Sequence, residues 1–68
     1  MANRKMELDS LIHGQFPSQA AFARHIGWHK QKINRIVSGK MMPSIEDVQT
    51  IAAGLGVPSM TVMKIFLR

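Results

Sequence analysis

The chain has 68 residues, and a chain of that size hides only about 60% of the surface its unfolded form exposes, which allows one small domain. It has no cysteine, which excludes disulfides and thiolate metal sites and fits a reducing, cytoplasmic setting. Nine Lys/Arg against four Asp/Glu leave a net charge of +5 and a sequence pI near 10.5, a balance that suits a polyanionic partner.

The first residues, MANRKMELDSLI, carry acids early and no apolar leader core, so no signal peptide is expected. No apolar run approaches the about 18 residues of a membrane span, so no membrane partner is expected. Apolar residues recur at helical spacing almost throughout, which predicts an all-α fold of five helices in a single domain over residues 1–68. Helix one is expected from about Arg4 to His13, with Leu8, Leu11 and Ile12 inward and Gly14 as its stop. Phe16-Pro17 bends the chain, because the residue before proline avoids helical angles. Ser18 can cap helix two, about Gln19 to His25, whose inner stripe is Phe22, Ala23 and Ile26. Gly27 breaks that pattern, since only glycine takes a left-handed turn without steric cost. Helix three covers about Lys30 to Val37 and buries Ile33, Ile36 and Val37. Ser38-Gly39 ends it. Pro43-Ser44 opens helix four, where Ser44 and Asp47 have the spacing of a capping box. Its stripe is Ile45, Val48, Ile51, Ala52 and Leu55, and Gly56 ends it. Helix five begins near Pro58-Ser59 and runs to the chain end. Its apolar residues Met60, Val62, Met63, Ile65, Phe66 and Leu67 cover more of the wheel than a small core needs, leaving Thr61, Lys64 and Arg68 as the polar stripe.

The charge is unevenly placed. No acid falls between Asp9 and Glu46, a stretch that contains Arg24, Lys30, Lys32, Arg35 and Lys40. Helix two, a tight turn at Gly27 and helix three make a helix-turn-helix on physical grounds alone. Ala23 lets the two helices cross closely, Ile33 and Ile36 anchor helix three, and the Gln31/Arg35 side is left outward. A helix of that width fits the DNA major groove.

Gln19, Ala23, Gly27, Ile33 and Ile36 together resemble the pattern of the lambda-repressor-like (Cro/Xre-type) helix-turn-helix family. The likeness continues through Ser38-Gly39-Lys40 and Pro43-Ser44 into the Ile51–Val57 ending of helix four, covering about residues 16 to 60. The resemblance implies that Lys30, Gln31, Asn34 and Arg35 read bases. It implies that Gln19, His29, Lys32 and Lys40 hold the DNA backbone. The chemistry agrees: arginine offers paired donors to guanine, glutamine pairs with adenine, and lysine on phosphate adds salt-dependent affinity without sequence information. The chain departs from the family at Trp28, at His29 where Ser or Thr usually caps the reading helix, at Val37, and at Met41-Met42.

The expected function is therefore a sequence-specific regulator of double-stranded DNA, of Cro or repressor type, binding a palindromic operator as a homodimer. Met60, Ile65 and Leu67 are the candidate dimer seam. At this length the chain suits a small Cro-like phage regulator, or a fragment of a longer repressor. The alternative is a protein-interaction module of the same fold, an antitoxin or antirepressor, using Trp28, Met41 and Met42. A basic helix at a membrane surface fits poorly, because the cations lie on helix three and the widest apolar face on helix five. No enzyme is expected: no Ser/His/Asp set, paired carboxylates or phosphate-binding glycine loop is present. His25 and His29 are spaced as a metal pair, but Gly27 separates them and no carboxylate lies near, so no metal or cofactor is expected.

Overall fold

Helix boundaries in this chain follow its serines, prolines and glycines. The computed structural model describes residues 5–67 and folds them into α1 (Met6–His13), α2 (Gln19–His25), α3 (Lys30–Val37), α4 (Ile45–Leu55) and α5 (Ser59–Phe66). The expected start of helix one at Arg4 and the expected end of helix five at Arg68 lie outside the described residues. The Ser18 hydroxyl accepts from the Ala21 N–H at 3.1 Å. Ser44 accepts from the Asp47 N–H at 3.1 Å, and the Asp47 carboxylate accepts from the Ser44 N–H at 3.2 Å. That is a complete capping box, and each such cap is worth about 1 kcal/mol because it satisfies a backbone donor with no partner inside the helix.

Three of the expected stops work through left-handed glycine: Gly27 at φ 78°, Gly39 at φ 82° and Gly56 at φ 70°. Gly14 does not; it follows α1 at φ −70°, an angle open to any residue. The exit from α1 is held instead by the Phe16 N–H on the Ile12 carbonyl at 2.8 Å. The Gln15 side-chain amide then donates to the Leu55 carbonyl at 2.7 Å, tying this loop to the end of α4.

The core draws on every helix: Leu8 and Ile12 from α1, Phe22 and Ala23 from α2, Ile33, Ile36 and Val37 from α3, Val48, Ile51, Ala52 and Leu55 from α4, and Val62, Ile65 and Phe66 from α5. α2 packs on α3, α4 packs on α5, and α1 touches α2, α3 and α5. α4 comes unusually close to the end of α2 at Gly54. A Cβ there would lie 2.5 Å from Ile26 Cγ2 and 3.0 Å from Phe22 Cε1.

Two expectations about the apolar stripes fail. Ile45 is 69% exposed. It is the first residue of α4, and helical side chains lean toward the N-terminus, here past the edge of the layer beneath. Ile65, a candidate for the dimer seam, is only 6% exposed. Residues 62, 65 and 66 share the inner face of α5 at helical spacing, so Ile65 belongs to the core. Met60 (56%) and Leu67 (75%) are the exposed apolar residues of that segment.

Candidate nucleic-acid interface

The turn between α2 and α3 is built from backbone. The Gly27 N–H donates to Arg24 and the Trp28 N–H to Ala23 at 2.8 Å, which reverses the chain over the small, 1% exposed side chain of Ala23. α3 then lies with Ile33, Ile36 and Val37 fully inside and Lys30, Gln31, Asn34 and Arg35 exposed. Beyond α3, the Arg35 carbonyl accepts from both the Lys40 N–H at 2.9 Å and the Met41 N–H at 3.1 Å. That bend brings Lys40 back beside the helix it follows.

The result is one shallow concavity of about 460 Å³ lined by Gln19, Ala20, Lys30, Gln31, Asn34, Arg35 and Lys40. Three cations and three amides line it, and no acid. An open surface of that kind holds a positive field, with no acid among the side chains that line it. An α-helix with its side chains is about 10–12 Å across, and the major groove of B-DNA is about 12 Å wide. α3 is thus presented as a convex cationic rod with anchoring groups on both sides.

A family model described as helix-turn-helix matches residues 18–60 of the chain. The chain belongs to the lambda-repressor-like, Cro-type helix-turn-helix family. No curated protein and no solved structure shows a significant match. Membership in this helix-turn-helix family carries DNA binding and, with it, transcriptional regulation; the family is typically non-catalytic. Among the described residues no helix is long and apolar enough to cross a membrane.

Within this helix-turn-helix, the concavity gathers six of the eight residues expected to touch DNA; Lys32 and His29 do not line it. The Lys32 Nζ sits 3.1 Å from Asp47 Oδ1 and 4.1 Å from the centroid of the Trp28 ring. That pairing fastens α3 to the start of α4, with the Lys32 side chain still 36% exposed. Burial pushes the Asp47 carboxyl up, but the Ser44 backbone N–H and the Lys32 ammonium outweigh it and hold the group below its ordinary value of 3.8. His29 occupies the cap position of α3, yet its side chain makes no capping bond. Trp28 is half-buried and packs against the core, so its indole serves the turn.

Gln19, expected to hold a phosphate, makes two side-chain contacts within the molecule. Its Nε2 donates to Asp9 Oδ1 at 3.0 Å, and its Oε1 faces Asn34 Nδ2 at 3.5 Å. It therefore bridges α1 to the exposed face of α3. Asp9 was not legible as part of this interface: it lies ten residues from Gln19. The one local signal at Asp9 is its spacing from His13, whose Nε2 lies 3.2 Å from the same oxygen.

Proposed function

We propose that this protein is a sequence-specific transcriptional regulator, residues 1–68 acting as one domain, that lays α3 in the major groove of a two-fold operator as a homodimer. The observation that carries this reading is the acid-free concavity holding Gln19, Lys30, Gln31, Asn34, Arg35 and Lys40 together. Arg35 and Gln31 read base edges, Lys30 and Asn34 extend that reading, and Gln19 and Lys40 hold phosphates. Met60 and Leu67, exposed at the end of the fold, support pairing of two copies, which would set the two α3 helices about 34–36 Å apart. Competition with the transcription machinery at the operator gives a Cro-like or repressor outcome inside the cell.

Selection of bound sites from random duplexes tests the reading. One palindromic sequence should be enriched, with two molecules bound per site. Arg35→Ala should weaken the best site by about 1–3 kcal/mol while leaving binding to unrelated duplexes nearly unchanged. A parent protein that enriches no sequence at moderate salt would refute it.

Met42 and Ile45, 70% and 69% exposed and three residues apart, favour a second reading, a module that grips a protein partner. Such a complex would survive Arg35→Ala and high salt and fail in Met42→Asp.

A further inference from the structure

Asp9 stands outside the α2–α3 unit, yet a series of side-chain contacts runs from it to the exposed face of α3. Its side chain is 21% exposed. Its Oδ1 receives Gln19 Nε2 at 3.0 Å and lies 3.2 Å from His13 Nε2. Gln19 Oε1 then meets Asn34 Nδ2 at 3.5 Å, the longest link of the series. We propose that Asp9 is a specificity-determining positioning residue: through Gln19 it fixes which hydrogen-bonding groups Asn34 presents to DNA. This rests on the DNA-reading function proposed for α3.

The argument is one of donors and acceptors. An ionised carboxylate can only accept, whereas a side-chain amide can turn either its oxygen or its nitrogen toward a neighbour. Facing Asp9, Gln19 must offer N–H, which turns its carbonyl oxygen toward α3. That oxygen can only accept, so Asn34 must offer N–H to it. Asn34 is left with its own carbonyl oxygen and its second N–H directed outward. One acceptor beside one donor is the pattern that pairs with N6 and N7 of adenine. The acid thus sets the direction of every bond in the series without touching DNA. An asparagine at position 9 removes that constraint, because it can donate. Gln19 can then reverse, offer N–H to Asn34 and draw in its oxygen. Asn34 would present only N–H groups, which suit the two acceptors of guanine.

The test uses Asp9→Asn, nearly the same size as the parent side chain, with Asp9→Ala beside it. The first measurement needs no DNA: the side-chain amide NMR signals of Gln19 and Asn34 in the free protein. In Asp9→Asn both should shift while the backbone amides of α3 stay in place. An Asn34 signal unmoved by the change would overturn the relay. The second is site selection from random duplexes. Asp9→Asn should alter preference at one base pair in each half-site, by about tenfold between adenine and guanine, with an unchanged salt dependence. Affinity falling equally for all sequences would mean that Asp9 only supports the fold, and overturns the proposal. If the parent itself selects no sequence, the DNA-reading function fails and the specificity role with it, and the amide signals still decide the relay separately.

Discussion

Gly54→Ala is expected to destabilise the protein even though it improves the helix that carries it. In an exposed helix the change would gain about 1 kcal/mol, because alanine has far less backbone freedom to lose. Here the added methyl lands 2.5 Å from Ile26 Cγ2 and 3.0 Å from Phe22 Cε1. Ordinary carbon contacts lie at about 3.5–4.0 Å. Phe22 is fully buried, and Ile26 Cγ2 branches directly from Cβ, so neither can swing aside without disturbing its own helix end. Overpacking of this kind costs about 1–3 kcal/mol. Set against the propensity gain, the net loss should be about 1 kcal/mol, which for a domain of this length lowers Tm by roughly 4–8 °C. Thermal unfolding followed by helical circular dichroism, and by fluorescence of the single tryptophan, Trp28, measures it. Ile26→Ala in the same chain should relieve part of the penalty, since the two changes share one contact. A Gly54→Ala protein that melts at or above the parent temperature would show that α2 and α4 have room to part, and would refute the close-approach argument.

Lys32 and Lys40 should separate cleanly. Lys40→Ala should weaken binding evenly across duplex sequences and lower the salt slope by about one per subunit. Lys32→Ala should leave that slope unchanged and cost about 1 kcal/mol of folding stability, from the lost contacts with Asp47 and Trp28. Asp47 predicts an acid limb. Its carboxyl is held below 3.8 in the folded protein, so the stability it adds is complete above that value and is lost as pH falls through the folded pKa. Asp47→Asn should therefore be less stable than the parent at neutral pH, and urea melts of the two should converge in strong acid. Curves that stay parallel down to acid pH would refute the assignment.

Much of the fold is punctuated in the chain itself. Ser18 and Ser44 mark helix starts, Gly27 and Gly56 mark left-handed ends, and the period of the apolar residues marks the inner faces of α3 and α4. These are local effects, decided within a turn or two of helix. What escaped was decided at a distance. Periodicity places Ile45 in line with Val48 but cannot say where the layer below stops. Lys32 reads as one more cation on an exposed helix, and only the packing of α3 beside α4 brings Asp47, fifteen residues away, within reach. Ile65 and Leu67 are equally apolar in the sequence, and the seat of α5 on the rest of the molecule decides which one is covered. The exposed cationic face of α3 was legible because it is built from neighbours on one helix. The contact of Asp9 with Gln19 was not, because that needs α1 and α2 side by side.

The carboxylate of Asp47 works on two elements at once, closing the first turn of α4 and holding the lysine of α3. Fraying at the start of α4 therefore loosens the Lys32 edge of α3 as well, while Ile33, Ile36 and Val37 keep the helix seated. The opposite flank of that rod is held by the longer, exposed contact of Asn34 with Gln19 at 3.5 Å, so the segment is fastened more tightly along one edge than along the other. That asymmetry sets the axis of α3 in advance and concentrates whatever adjustment remains on the side away from α4.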